Sequence, residues 1–221
     1  MYARETVEVA AEDVRNLHLV LRKSWTLPAK LSVEGGKLPD PSKLRVVVYG
    51  EAGADASKKI DKDGTFTLGG LFPGTYKVSI AGLPEGFYLK RTSGAGAQRS
   101  DGRITLEDGP PPERLDLLIS PKGASLAGTV RDESNAPVGG TPVFLRTGET
   151  RQSPGEIKHV VRSDQNGQFS FHDLAPGDYV ILLKKSHPGA HGTEAPHVNV
   201  SLAEAEQKTI TLKVEPANSS H

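Results

Sequence analysis

The chain has 221 residues, and its 27 Lys and Arg are balanced by 27 Asp and Glu, so the formal net charge is zero at neutral pH. The charges are shared between both halves of the chain, which excludes the basic surface of a nucleic-acid binder. No apolar run approaches the length of a membrane span, and the absence of cysteine excludes disulfides, thiol catalysis and cysteine-ligated zinc.

The first 24 residues contain two short alternating segments, Val7-x-Val9 and Leu17-x-Leu19-x-Leu21. A similar pair of segments recurs twice later in the chain, each time after a run of other predicted strands. We therefore interpret residues 1–24 as the C-terminal hairpin of a truncated upstream repeat, with an accessory ribbon on the first module as the alternative. Residues 1–10 lack the positive start and apolar stretch of a signal peptide.

Short apolar runs separated by Gly and Pro fill the rest of the chain, as in many-stranded β folds. In the first module, residues 25–120, we predict strands at Ala29–Val33, Leu44–Tyr49, Lys58–Ile60, Thr65–Leu68, Thr75–Ile80, Phe87–Lys90 with Arg103–Leu106, and Leu115–Ile119. In the second module, residues 121–216, we predict strands at Ser125–Val130, Thr141–Leu145, His159–Arg162, Gln168–Phe171, Asp178–Leu183, Val198–Val200 and Lys208–Val214. Ala203–Gln207 is predicted to form at most one helical turn, and residues 217–221 a disordered tail.

A long segment of the first module, Asp61–Tyr76, recurs in the second module as Asp164–Tyr179. In each copy, Asp-Gly or Asn-Gly is predicted to close a two-residue hairpin, because both turn positions need a positive φ. The alternation that follows predicts core positions for Phe66, Phe169 and Phe171, and Pro-Gly predicts the next tight turn. The predicted fold class is all-β, with tandem immunoglobulin-like Greek-key β-sandwiches.

The second module opens with Gly128-Thr-Val130-Arg-Asp132, continues with Thr141-Pro-Val143-Phe-Leu145, and ends its repeated segment with Pro-Gly-Asp-Tyr179. This pattern resembles the carboxypeptidase regulatory-like domain, a transthyretin-like (prealbumin-like) sandwich, and is similar to the CnaB-type repeats of surface adhesins. The first module matches at its repeated segment but lacks the usual Gly before Val33. The resemblance implies an extracytoplasmic bacterial protein, in the periplasm, at the outer membrane or on the cell surface, often with modules in tandem arrays.

Two patterns resemble metal sites. His191-Gly-Thr-Glu194, with His187 and His197 nearby, has the His-x-x-Glu spacing of zinc ligands, but the Gly and Pro residues around it favour a solvated loop. Asp61-x-Asp63-Gly64 and Asp164-x-Asn166-Gly167 resemble the start of a calcium loop, but neither has the Glu needed at the twelfth position, so a turn is favoured. We predict no metal ligand and no cofactor.

A covalent cross-link and a sugar-binding surface were the other candidate sites. The resemblance to CnaB-type domains suggests Lys30 and Asp116 as a cross-linked pair, but the middle strand Tyr76–Ile80 has no acid to promote the reaction, so a surface ion pair is favoured. Trp25, the only tryptophan, and Tyr88 are candidates for stacking on a sugar ring, while burial of Trp25 at a module boundary is the alternative. No catalytic residue is predicted.

We therefore expect a non-catalytic structural or spacer module of a bacterial periplasmic or cell-surface multidomain protein. Its expected partners are other domains of the same longer chain, with no nucleic acid and no transmembrane segment in these residues. The alternative is a carbohydrate- or protein-binding module of the carbohydrate-binding-like fold, which would bind through loops at one end of a sandwich. A remote alternative, implied by the resemblance, is an accessory domain of a metallocarboxypeptidase.

Overall fold

The computed structural model describes residues 3, 17–21, 23–50, 56–94, 97–99, 102–108, 113–148, 157–183 and 197–214. These residues form sixteen β-strands and one short 3-10 helix, Pro41–Lys43, and none of their helices is long and apolar enough to cross a membrane. The chain divides into two compact units. Unit one comprises Met1–Pro84 and Leu89–Ser120, and unit two comprises Glu85–Tyr88 and Pro121–His221.

The described strands of unit one form two sheets. In chain order the strands are β1 (Trp25–Val33), β2 (Arg45–Gly50), β3 (Ala56–Lys59), β4 (Thr65–Leu71), β5 (Gly74–Ala81), β6 (Tyr88–Gly94), β7 (Ala97–Arg99), β8 (Arg103–Leu106) and β9 (Leu115–Ser120). The first sheet has the order β4-β1-β9-β6-β7, and the second has the order β3-β2-β5-β8. The first residue of β6, Tyr88, groups with unit two.

The described strands of unit two also form two sheets. They are β10 (Ala124–Arg131), β11 (Pro142–Thr147), β12 (Ile157–Arg162), β13 (Gln168–Leu174), β14 (Gly177–Leu183), β15 (His197–Leu202) and β16 (Gln207–Lys213). One sheet has the order β13-β10-β16, and the other has the order β12-β11-β14-β15.

Both units place their first strand between the same two partners. β1 is antiparallel to β4 and parallel to β9, and β10 is antiparallel to β13 and parallel to β16. In the other sheet, β2 pairs with β3 and β5 as β11 pairs with β12 and β14, all antiparallel. The all-β, immunoglobulin-like fold class predicted from the sequence is confirmed.

The core of each unit consists of apolar side chains that alternate along its strands. Phe66, Phe169 and Phe171 are buried, as the sequence predicted, and the rings of Phe169 and Phe171 meet edge to face at 5.9 Å. One buried cluster in unit two joins residues of both sheets, including Leu126 from β10 and Ile181 from β14. The two sheets of unit two therefore pack face to face as a sandwich.

The repeated turn differs from the predicted two-residue hairpin. The Gly64 N–H donates to Asp61 O, the Asp61 N–H donates to Thr65 O, and Gly64 alone has a positive φ in this turn. The strands on either side, β3 and β4, belong to different sheets, so the turn is a corner between sheets. The turn at Asp164–Gly167 has the same hydrogen bonds and also joins strands of two sheets.

Three further local predictions were wrong or incomplete. Residues 17–21 are not in a strand, and Leu17, Leu19 and Leu21 are 51%, 58% and 68% exposed. Residues 203–206 form a turn in which Ala205 has a φ of 57°, rather than a helical turn. The predicted strand at Phe87–Lys90 extends to Gly94 and forms a ribbon with β7. Val7–Val9 and the predicted tail 217–221 lie outside the described residues.

Unit one lacks the glycine that unit two has at Gly128, as the sequence predicted, but the equivalent position precedes Leu31 rather than Val33. Leu31 and Val130 occupy equivalent places, because their N–H groups donate to Gly64 O and Gly167 O. Two residues earlier, Gly128 faces Phe169 in the ladder, as Ala29 faces Phe66. The position before Leu31 that corresponds to Gly128 is therefore filled by Ala29, and both units keep a small residue there.

A buried tyrosine forms a hydrogen bond to the backbone of the same connection in both units, which is β4 to β5 in unit one and β13 to β14 in unit two. The Tyr76 hydroxyl donates to Phe72 O at 2.9 Å and accepts from the Phe72 N–H. The Tyr179 hydroxyl donates to Ala175 O at 2.7 Å. Burial, with a smaller contribution from Tyr88, raises the pKa of Tyr179 from 10.0 to about 12.

The raised pKa of Tyr179 predicts alkaline destabilisation of unit two. Between pH 10 and 12 the unfolded chain loses the phenolic proton before the folded chain does, so the free energy of unfolding falls as pH rises. We expect a loss of about 2 kcal/mol across this window. Tyr179→Phe should be less stable at pH 8, where it lacks the bond to Ala175 O, but should lose this part of the pH dependence. Urea unfolding at several pH values measures both effects, with Tyr49→Phe on an exposed residue as the control. An unchanged slope in Tyr179→Phe would contradict the assignment.

Candidate functional site

The feature that the two units share most closely is the parallel pair made by their first and last strands. In unit one, Ala29 to Val33 of β1 lie opposite Leu115 to Ile119 of β9. In unit two, Ser125 to Arg131 of β10 lie opposite Gln207 to Lys213 of β16. Because the strands run in the same direction, the chain enters each pair at one end and leaves it at the other.

This arrangement fixes how a pull on the chain would act on each unit. Tension applied at the entry and exit points slides the two strands past each other, and it loads all hydrogen bonds of the ladder together. Strands whose pulled ends lie side by side would instead separate one bond at a time. A parallel terminal pair is therefore the stronger arrangement when the chain is stretched along its length.

In unit one, the last strand is held on both sides. β9 lies between β1 and β6 in the five-stranded sheet. Its inward side chains, Leu115, Leu117 and Ile119, are each 0% exposed. Each fully buried aliphatic side chain contributes about 1.5–3 kcal/mol relative to an exposed one, so β9 is firmly packed.

A polar cluster joins the ends of these three strands. Glu34, directly after β1, accepts a hydrogen bond from Lys90 Nζ of β6 at 2.7 Å and one from Ser120 Oγ of β9 at 2.7 Å. The Glu34 N–H also donates to Ile119 O at 2.9 Å. Ser120 is fully buried. Because the buried hydroxyl cannot meet a substrate, the cluster acts as a fastening between strands rather than as a nucleophile.

The exit of unit two is held differently. The Val214 N–H donates to Arg131 O at 2.9 Å, directly after the β10–β16 ladder. Of the inward side chains there, Leu212 is buried and Ile210 is partly exposed. Among the described residues, β16 forms the edge of its sheet and pairs with β10 alone.

Lys30 and Asp116 are exact register partners across β1 and β9, as a cross-link would need. Lys30 is exposed and Asp116 is partly exposed, on the outer side of the sheet. Asp116 forms an ion pair with Arg114 at 2.9 Å. The pair therefore lacks the buried setting that the cross-linking reaction needs, and the surface ion pair of Lys30 stays a prediction.

The two aromatic candidates differ in accessibility. Trp25 begins β1 and is partly exposed. Tyr88 is 5% exposed, and its hydroxyl donates to Glu204 at 3.0 Å within unit two. A sugar ring can approach Trp25 as it stands, whereas Tyr88 would first have to be uncovered. Their role in stacking stays a prediction.

The candidate metal ligands are only partly described. His187, His191 and Glu194 lie outside the described residues, and His197 is exposed at the start of β15. No group of three or more His, Asp or Glu residues that could hold a metal ion occurs in the described part of the chain. The prediction of no metal site therefore stays a prediction.

The turn aspartates have a structural role. Asp63 Oδ1 accepts hydrogen bonds from the hydroxyl and the N–H of Thr65, which lower the pKa of Asp63. Asp164 Oδ1 accepts from the N–H groups of Asn166 and Gln168. Their oxygen atoms hold the turns closed, as expected for Asx turns.

Sequence reasoning missed the fastening made by Glu34, Lys90 and Ser120. These residues are far apart in the chain and form no local motif. Each resembles an ordinary polar residue at the end of a strand. Only the pairing of β1, β9 and β6 brings them together, so a prediction of that strand order would have been the sole route to them.

Unit two matches one family model. Residues 125–213 match the carboxypeptidase regulatory-like domain. The match covers β10 to β16 almost completely, and it confirms the resemblance seen in the sequence. The matched model is that of a regulatory-like domain and not that of the peptidase itself. No curated protein matches the chain.

Several solved structures are also similar to this chain. The minor pilin GBS52 of Streptococcus agalactiae is 14% identical, with 88% of this chain and 98% of that chain covered and a TM-score of 0.40. The TIE protein of Bacillus anthracis is 17% identical, with 87% and 34% covered and a TM-score of 0.34. (S)-allantoin synthase is 10% identical, with 42% and 40% covered and a TM-score of 0.34. The chain thus spans 34% of the TIE protein's length.

Proposed function

We propose that this chain is a non-catalytic spacer that carries tension between other domains of a longer bacterial protein. The observation that supports this proposal is the parallel pairing of first and last strands in both units. Each unit can then be pulled from its two ends while its terminal ladder resists as a whole. The match of residues 125–213 to a regulatory-like domain agrees with a supporting role.

The proposed location is outside the cytoplasm, in the periplasm or at the cell surface. The absence of cysteine suits this setting as well as any other, because a sandwich with a large buried core needs no disulfide. The location is proposed from the carboxypeptidase regulatory-like match, whose relatives are expected in exported proteins. The partners proposed are the neighbouring domains of the same polypeptide.

The proposal predicts that unit two resists force according to the direction of pulling. Since the chain has no cysteine, pairs of introduced cysteines define the points of attachment. Ser125→Cys with Lys213→Cys places the handles at opposite ends of the β10–β16 ladder, and Ser125→Cys with Gln207→Cys places them at the same end. We expect the first pair to need a rupture force several times higher, measured by atomic force microscopy or optical tweezers.

The two variants share one attachment point and remove no buried side chain, so each is the control for the other. Thermal unfolding of both, without force, should give the same midpoint. Equal rupture forces in the two directions would overturn the proposed function, because the terminal ladder would then add no resistance along the chain.

A second candidate function is binding of carbohydrate or of a surface protein. The partly exposed indole of Trp25 is the observation that favours it. A glycan array with the whole chain, repeated with Trp25→Ala, tests this function. Specific binding that depends on Trp25 would replace the spacer proposal with a binding one.

A further inference from the structure

We infer that unit two opens before unit one when the chain is stretched, so that unit two is the extensible element of the spacer. This inference rests on the proposed function and adds an order to it. Three differences between the terminal strands β9 and β16 support it: the number of neighbouring strands, the burial of side chains, and the fastening at the exit.

The first difference is the number of strands that hold the last strand in place. β9 has β1 on one side and β6 on the other, whereas β16 has β10 alone among the described residues. To pull β9 out of its sheet, the ladders on both sides must yield. Among the described strands, the β10–β16 ladder alone must yield before β16 can leave its sheet.

The second difference is burial. All three inward aliphatic residues of β9 are fully buried, and the strand ends at the fully buried Ser120. In β16, Leu212 is the single buried residue, and the other residues of the strand are exposed or partly exposed. Less apolar surface is exposed when β16 leaves its sheet, so less free energy opposes its departure.

The third difference is the fastening at the exit. In unit one, the Glu34 carboxylate connects β9 to β6 through Ser120 and Lys90. At the corresponding end of β16, the described residues show the backbone bond from Val214 to Arg131. The side-chain fastening therefore adds resistance at the point where tension enters β9.

One feature favours the opposite order. The β10–β16 ladder pairs residues from Ser125 to Arg131, which is longer than the β1–β9 ladder from Ala29 to Val33. The extra length adds backbone bonds on one side of β16. The second neighbouring strand and the fully buried inward face of β9, together with the Glu34 carboxylate bond at its exit end, outweigh this difference in ladder length.

The experiment is a constant-force stretching measurement on the whole chain, held at its two ends. Both units are similar in size, so their opening events are told apart by locking one unit at a time. Thr129→Cys with Thr211→Cys joins register partners of β10 and β16 on the outer face. Lys30→Cys with Asp116→Cys joins the equivalent partners of β1 and β9. Neighbouring strands are within the usual span of a disulfide, and each reduced form is its own control.

In the parent chain, we expect one event to occur about tenfold or more sooner than the other at the same force. Oxidising the unit-two lock should remove the faster event, and oxidising the unit-one lock should remove the slower one. Loss of the faster event with the unit-one lock, or equal rates for both units, would overturn the inference. Neither result would affect the comparison of pulling directions, which tests the spacer function separately.

Discussion

Gly167→Ala should destabilise unit two by about 2–4 kcal/mol, well beyond the usual effect of one added methyl group on a surface turn. Gly167 has a φ of 73°, and a Cβ there would lie 2.4 Å from Val130 O in the first strand of the unit. The change therefore combines left-handed strain with a clash against backbone. Since Val130 also accepts from the Val138 N–H, its carbonyl cannot move away freely.

Gly140→Ala provides a matched control in the same unit. Gly140 has the same φ of 73°, but a Cβ there would meet nothing within 4 Å. We expect Gly140→Ala to cost about 1–2 kcal/mol, which is the left-handed strain alone. Unit one repeats the comparison, with Gly64 crowded by Leu31 O at 2.4 Å and Gly70 unobstructed. Equal losses at the crowded and open positions would show that steric room does not decide the effect. Denaturant unfolding measures the losses, and fluorescence of Trp25 reports on unit one.

Gly128→Ala should also destabilise unit two, by about 2–4 kcal/mol, through its core rather than through a turn. A Cβ at Gly128 would lie 2.4 Å from Phe169 Cζ and 2.7 Å from Ile210 O. The ring of Phe169 is packed edge to face against Phe171, so it cannot swing aside without disturbing the core. Gly128→Val should prevent unit two from folding.

A double-mutant cycle separates the ring from the backbone carbonyl. Phe169→Leu removes Cζ, so Gly128→Ala should cost less in that background, with a coupling of about 1–2 kcal/mol. Ala29→Gly in unit one is the reverse change at the equivalent position, and it should cost about 0.5–1 kcal/mol. Strictly additive losses at Gly128 and Phe169 would mean that the ring is not the obstacle. Circular dichroism follows unfolding in both series, and fluorescence of Trp25 identifies the transition of unit one.

The sequence predicted most strands because they carry buried side chains at alternate positions. Phe169 and Phe171 on β13, and Tyr179 on β14, are examples of this pattern. The predicted strand ended at Lys90, before the observed end of β6 at Gly94, because residues Arg91 to Gly94 have few apolar side chains. β6 pairs with β9 in the sheet, and no pattern within β6 itself indicates that pairing.

The turn at Asp61–Gly64 shows a second limit. Asp-Gly correctly indicated a tight turn with a left-handed glycine, but the same residues suit a hairpin and a corner equally well. What distinguishes the two is the path of β3 and β4 after the turn, which the packing of two sheets decides. The polar cluster at Glu34 was invisible for the same reason, since distant strands assemble it.

The pairing of first and last strands also has a kinetic consequence for the newly made chain. β10 cannot acquire its parallel neighbour until β16, the final strand of the unit, has been synthesised. Contacts between residues so distant in sequence slow folding, because a long loop must close before they form. Each unit therefore remains incomplete until nearly all of it has left the ribosome, and its first strand keeps an unpaired edge during that time.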